Sequence, residues 1–257
     1  MILPEKMKIF IINLESDIER KYSMLQQASS LGLDVEIIKA VNGKQLSKDE
    51  VMKLSRDFYS NGMTLGELGC SLSHLSVYQR IVDENIPLAL IMEDDVEINK
   101  NIFYVLRALD KLNAKNPNKS NVILLNKTTE YIDTFKKNIT GQYYLVNVIE
   151  AACTYGYVIN NYAAQCLLDF LQPVWLEADK WRFLNERRII KVKAVVPPVI
   201  STTPLYLQSN LALERKKQKQ SRQEFFRIQR KRRSLYVKLY TMFWRIFIRL
   251  LVKRIKP

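Results

Sequence analysis

Three consecutive carboxylates, Glu93, Asp94 and Asp95, close an apolar run that starts at Pro87 and continues Leu88-Ala89-Leu90-Ile91-Met92. A short unbroken apolar run is the pattern of a strand buried on both faces. In an open α/β sheet, ligands bind just beyond the carboxyl ends of such strands. Adjacent carboxylates repel one another, and a hard divalent cation relieves that repulsion. Strand alternation carried past the end of the run would put Glu93 and Asp95 on one side and Asp94 on the other. Glu93 and Asp95 could then share a cation, and the cation could hold a diphosphate. Three chemistries fit an acidic cluster in this setting: metal-assisted glycosyl transfer, phosphoryl transfer or hydrolysis, and glycoside hydrolysis by two carboxylates. A solvated acidic turn fits the same residues.

Other chemistries lack their residues. There is no Gly-Lys-Ser/Thr phosphate loop, and no Gly-x-Gly-x-x-Gly follows the first strand-like segment. No Gly-x-Ser-x-Gly elbow is present, and His74 is the only histidine, which leaves little for a Ser-His-Asp hydrolase. Cys70, Cys153 and Cys166 are an odd set without metal-type spacing. They read as buried, reduced thiols of a cytosolic protein. The first residues lack a basic segment followed by a long apolar one, so no secretory leader is expected.

The elements that must position the cluster can be read in order. Residues 7–13 form an apolar strand, and 15–31 carry Ile18, Tyr22, Leu25 and Ala28 at helical spacing. Residues 35–40 form a second strand, closed by the turn pair Asn42-Gly43. Strand, helix, strand in this span is a βαβ unit and implies a mostly parallel sheet. A polar helix is expected over 46–60. Gly66 and Gly69 then open a helix reaching about residue 84, where small residues allow close backbone approach. Helices follow at 99–113 and 161–171, with a further helical turn at 178–181. Strands are expected at 122–125, at 143–148 near a sheet edge, at 154–160 and at 191–196. The fold class is α/β.

The net charge of +14 suggests nucleic acid until it is located. Residues 214–257 hold 16 of the 40 basic side chains and 2 of the 26 acidic ones, which accounts for all of it. The chain therefore divides into a neutral body, 1–213, and a basic tail, 214–257. Residues 214–233 read as a basic helix that is solvated unless bound. From Leu235 onward, Lys238, Arg245, Arg249, Lys253 and Lys256 fall on one stripe at about 100° per residue, against Trp244, Phe247 and Leu251. Charge recurs too often for a transmembrane helix, which needs about 20 mostly uncharged residues. The pattern predicts an amphipathic helix lying in an anionic bilayer surface, with Trp244, Arg245, Arg249 and Lys253 at the interface. The competing reading packs the apolar face on the body or a partner. Nucleic-acid binding is not expected, because large aliphatics rather than isolated stacking aromatics interleave the charges.

Four stretches in order resemble glycosyltransferase family 25, the lipooligosaccharide and, more distantly, collagen galactosyltransferases. They are Ile11-Ile12-Asn13-Leu14 with Asp17 and Arg20, Ala40-Val41-Asn42-Gly43, Gly66-Glu67-Leu68-Gly69-Cys70 with Ser73-His74, and Met92-Glu93-Asp94-Asp95. The segments 155–160, Ala163-Ala164 and Ala178-Asp179 are also similar, so the likeness covers roughly residues 7–200 and excludes the tail. The resemblance implies a GT-A-like nucleotide-sugar-binding fold and inverting transfer of a sugar, commonly galactose from UDP-galactose. It implies Mn2+ or Mg2+ at Glu93 and Asp95, with Glu93 alternatively on the donor ribose. The donor would lie against Asn13, Leu14, Arg20, Asn42, Gly43, His74, Glu93 and Asp94. Arg20 equally fits a surface charge, Asn42-Gly43 a simple turn, and His74 a structural role.

Inversion requires a carboxylate to deprotonate the acceptor hydroxyl. Asp179 matches an acidic position of the family and lies between Trp175 and Trp181, aromatics that could stack on an acceptor sugar. Glu150 is the alternative base, and a helix cap is the alternative role for Asp179. The resulting expectation is a cytoplasmic-face glycosyltransferase that uses a UDP-sugar and a lipooligosaccharide or lipopolysaccharide acceptor at the inner leaflet. UDP-glucose or an N-acetylhexosamine donor, or a non-catalytic membrane-surface protein, are the rival readings.

Overall fold

The computed structural model describes residues 7–203 and 218–257. The readings placed on residues 1–6 and 214–217 lie outside them. Eleven strands are formed: β1 (Met7–Asn13), β2 (Glu36–Lys39), β3 (Leu88–Glu93), β4 (Val96–Ile98), β5 (Asn121–Leu124), β6 (Glu130–Thr140), β7 (Tyr143–Glu150), β8 (Gly156–Asn160), β9 (Lys191–Val196), β10 (Ile200–Thr202) and β11 (Arg254–Ile255). Nine make one sheet in the order β11-β6-β7-β9-β5-β8-β3-β1-β2, and β4 pairs with β10 beside it. The helices used below are α1 (Ile18–Leu31), α2 (Lys48–Leu54), α3 (Phe58–Asn61), α4 (Leu65–Asp83), α5 (Ile102–Ala114), α6 (Asn161–Leu171), α7 (Trp181–Glu186), α8 (Lys219–Lys231) and α9 (Leu235–Phe243).

The sheet is mixed rather than mostly parallel. Only β1 with β2, β1 with β3, and β5 with β9 run parallel. The βαβ reading holds for the first three strands. Beyond them β8 runs against both β3 and β5, and β6 and β7 form an antiparallel hairpin. β7 lies near the edge of the sheet, third in order after the two-residue β11 and the longer β6.

β1 and β3 are unbroken apolar runs because both of their faces are covered. Phe10, Ile12, Ala89 and Ile91 join the core beneath α4 and α6. Ile9, Ile11, Leu90 and Met92 join the opposite core beneath α1 and α5. Each fully buried large apolar side chain contributes about 1.5–3 kcal/mol, so these central strands anchor the body. β1 also marks where the chain reverses its winding, since β2 lies on one side of it and β3 on the other. The crevice at such a point is where α/β sheets place their ligands.

α4 is set by a capping box: Thr64 Oγ1 accepts from the Glu67 amide, and the Glu67 carboxylate accepts from the Thr64 amide. Its first turn is pressed against the 41–43 loop. A Cβ on Gly69 would lie 2.5 Å from both the Gly43 nitrogen and the Val41 carbonyl oxygen, so only glycine fits. This contact brings Asn42-Gly43 and α4 to the carboxyl ends of β1 and β3.

The tail differs from a solvated run followed by one long helix. α8 docks on the body through Phe225, which is buried against Trp175, and through Arg222. The Arg222 guanidinium lies 2.5 Å from Glu67 and 3.3 Å from Glu177 and donates to the Gly62 carbonyl at 2.8 Å. α9 continues through a π-helical turn (Trp244–Ile248) and ends at Leu251. Val252 is extended, and β11 then pairs with β6. Lys253 and Lys256 therefore leave the helical stripe. Lys253 instead faces Asp133 at 3.5 Å, and its amide donates to Thr134 Oγ1. Sheet pairing outcompetes helix extension because the edge of β6 offers unpaired backbone groups. No helix among the described residues is long and apolar enough to cross a membrane.

Candidate active site

A cleft of about 730 Å³ opens at the carboxyl ends of β1 and β3. Its walls are the start of α1, the 40–44 loop and one face of α4, and its floor carries Glu93, Asp94 and Asp95. Leu14, Arg20, Asn42, Gly43 and His74 also line it. Asn13 stands behind this wall, 3% exposed, and donates from Nδ2 to Asp94 Oδ2 at 2.7 Å and to the Asp17 carbonyl at 3.0 Å. Lys44, Ser73 and Cys70 face the cleft as well. Cys70 and His74 are one helical turn apart on α4, a spacing readable in advance.

The alternation expected for the triplet stops at Glu93, where β3 ends and a turn begins. Asp94 and Asp95 consequently both approach Arg20, whose Nη1 is 3.3 Å from Asp94 Oδ1 and 3.7 Å from Asp95 Oδ2. Arg20 is thus drawn into the cleft and is not a free surface charge. Burial raises the Asp94 carboxyl above its ordinary range, against the opposing pull of Asn13 and Arg20. Burial and the Glu93 charge push Asp95 up to about 6. Asp95 Oδ1 is buried and has no hydrogen-bond partner among the described residues. An ionisable oxygen held in that state is expected to accept a cation or a donor group.

Glu93 turns to the other side of the floor. Its Oε1 accepts from the Thr154 hydroxyl and lies 3.7 Å from His74 Nε2. The other ring nitrogen, His74 Nδ1, is 2.7 Å from the Tyr157 hydroxyl, which shares a further hydrogen bond with Tyr78. Burial pushes both tyrosine hydroxyls and the Cys70 thiol upward, so all three keep their protons.

The residues expected on the acceptor side are not gathered in the cleft. Trp181 is fully buried, edge-on to Tyr157, and donates from Nε1 to the Cys153 carbonyl. Trp175 is 5% exposed, packed between Phe170, Phe183 and Phe225. Neither ring offers a face to a sugar, because both complete the apolar core. Asp179 is half-buried. It accepts from the Cys153 amide at 3.3 Å and pairs with Lys180 at 3.2 Å. It does not cap α7, whose N-cap is Lys180. It does not line the cleft, although its charge, after burial and the Glu93 charge, helps hold the Cys70 thiol up. Glu150 ends β7 in an ion pair with Arg182 at 2.7 Å and is not a cleft residue.

Comparison with known proteins reaches the same stretch of chain. The family described as glycosyltransferase family 25 (LPS biosynthesis protein) matches residues 6–181. A glycosyltransferase 25 family member of Anopheles gambiae is 36% identical over 62% of this chain and 28% of its own length. Procollagen galactosyltransferase 2 of Homo sapiens is 30% identical over 64% of this chain and 28% of its own. The chain thus matches little more than a quarter of the length of these relatives. A solved structure of a mannose-1-phosphate geranyltransferase from Thermus thermophilus covers 76% of both chains at 13% identity and a TM-score of 0.37, too loose a likeness to bear on the site.

Proposed function

Since the chain belongs to glycosyltransferase family 25, we propose that its cleft takes a UDP-sugar, UDP-galactose first among them, and transfers the hexose with inversion to a lipooligosaccharide or lipopolysaccharide glycan. The observation that carries this reading is the cluster of Glu93, Asp94 and Asp95 on the floor of one cleft, with a buried Asp95 oxygen lacking any partner among the described residues. That donor set, carboxylate oxygens at a strand end, fits Mn2+ or Mg2+. When bound at Glu93 and Asp95, such an ion would offset the charge of the diphosphate leaving group.

The protein's own residues supply the rest. Asn13 and Arg20 fix Asp94 and so set the floor. The loop at Asn42-Gly43, locked against α4, bounds the nucleotide end of the cleft. Asp179 takes the acceptor hydroxyl proton in this reading. It is preferred to Glu150, which is tied to Arg182 away from the cleft. The names of the relatives support galactose as the sugar, and the family description supports a lipopolysaccharide acceptor.

The tail supplies a surface for the acceptor. Leu239, Phe243, Phe247, Leu250 and Leu251 are all more than half or about half exposed, with Arg245 and Arg249 on the same segment. Large apolar side chains beside arginines fit the headgroup layer of an anionic bilayer, which in this reading is the inner leaflet. An enzyme and a lipid-linked acceptor held in one plane meet at raised effective concentration.

The test is UDP release by the full chain, measured with each UDP-sugar in Mn2+ or Mg2+, with and without glycoside acceptors. Galactose transfer from UDP-galactose, lost in Asp95→Asn, is the expected result. Turnover only with UDP-glucose or an N-acetylhexosamine donor would move the assignment to that sugar. Absence of turnover with every donor, in protein that still binds anionic vesicles, would leave a membrane-surface binding protein.

A further inference from the structure

Cys70, His74 and Glu93 form a second ligand set that shares only Glu93 with the triplet. Among the described residues, they are the one group of three such side chains with ligand atoms all within 4.8 Å of one another. Cys70 and His74 project from successive turns of α4, and Glu93 from the end of β3, so two rigid elements hold the set. All three side chains line the cleft.

The histidine carries the decisive detail. His74 is 1% exposed, and its Nδ1 is committed to the Tyr157 hydroxyl. Its Nε2 is buried and has no hydrogen-bond partner among the described residues. A ring nitrogen fixed through its second nitrogen, with the first nitrogen bare, is how proteins present histidine to a metal. Glu93 Oε1 lies 3.7 Å from that Nε2. Tetrahedral coordination at zinc distances separates a nitrogen and an oxygen ligand by about 3.3 Å, so a small side-chain shift closes the set.

We propose that Cys70, His74 and Glu93 bind a borderline divalent cation of the zinc class, with its fourth position open to the cleft. One sulfur, one imidazole and one carboxylate select zinc over the hard ions suited to Glu93 with Asp95. On binding, the Cys70 S–H bond breaks, its proton leaves to solvent, and the sulfur–metal bond forms. Thiolate and carboxylate together then balance the double positive charge. The Tyr157 and Tyr78 hydroxyls orient the ring from behind as positioning residues. The proposal does not depend on sugar transfer.

The experiment uses the full chain stripped with chelator and titrated with Co2+ as a visible stand-in, then with Zn2+ in competition. One equivalent of Co2+ should produce a thiolate-to-cobalt charge-transfer band that Zn2+ abolishes. The band should persist in Asp95→Asn and in Cys153→Ser and vanish in Cys70→Ser and His74→Gln. X-ray absorption of the zinc-loaded wild type should show one sulfur neighbour at about 2.3 Å, a readout independent of how the variants fold. A wild type with only nitrogen and oxygen neighbours, or a band that survives Cys70→Ser, would overturn the proposal. Loss of the band in Asp95→Asn would overturn it too, by reducing the site to that of the triplet. UDP-sugar turnover is scored separately, so either reading can fail alone.

Discussion

Replacing Asp95 by asparagine should stabilise the metal-free protein, by an amount that depends on pH in a defined way. Asp95 is 9% exposed, and burial with the neighbouring Glu93 charge raises its carboxyl from the ordinary 3.8 to about 6. Below about pH 4 the group is protonated in both folded and unfolded chains and makes no difference. Between about 4 and 6 the unfolded chain ionises while the folded chain retains its proton, so stability falls as pH rises. Above about 6 the whole penalty is present. The interval from 3.8 to about 6 corresponds to about 3 kcal/mol at about 1.4 kcal/mol per pH unit. Asparagine carries no such penalty, and the opposing attraction of Arg20 at 3.7 Å is already contained in that net shift. The expected gain is about 3 kcal/mol at pH 7.5, shrinking toward zero near pH 4. Urea unfolding of both proteins in EDTA, at intervals from pH 4 to 8, measures it. A gain that is flat across this range, or an asparagine variant less stable at pH 7.5, would refute the reasoning. A charge held at such cost in a cleft is the mark of a site awaiting a partner.

Two further outcomes follow from the tail. Arg222→Ala strips the guanidinium from Glu67 and Glu177, which are 4% and 7% exposed, and should destabilise the protein by about 3 kcal/mol in urea unfolding. An unchanged midpoint would mean that α8 does not dock in this way. Leu250→Glu with Leu251→Glu changes side chains that are 82% and 77% exposed, so the fold should keep its melting temperature. Flotation with anionic vesicles should fall by about 100-fold or more in this double variant, and retention of binding would remove the helix from the lipid contact.

The central part of this architecture was readable because its physics is local. β1, α4, β3 and α6 are dense apolar runs or capped helices, and their observed limits stand within a residue or two of the sequence reading. β6 escaped because most of it faces solvent, so neither an apolar run nor a clean alternation marks it. β11 escaped because its partner lies more than a hundred residues away, on β6. The same distance explains the misplaced tail helix: the amphipathic period continues past Leu251, but pairing with β6 wins. The triplet is legible from its strand end alone, whereas Asn13 and Arg20 are marked only by their likeness to the family's first-strand motif. The tryptophans misled because a ring suited to stacking on sugar is equally suited to filling a core, and only tertiary packing decides. By spacing alone Cys70 reads as a buried, reduced thiol. Its spacing from His74 was visible, but Glu93 at the same point in space was not.

The segment between Arg222 and β11 is fastened to the body at both of its ends, near the first turn of α4 and along the outer strand of the sheet. A flexible appendage lets an attached enzyme tumble over a surface. A loop of helix pinned twice does not. On any surface that its exposed leucines and phenylalanines were to meet, a body held this way would have few permitted tilts, and the fold itself would restrict the direction in which the cleft opens.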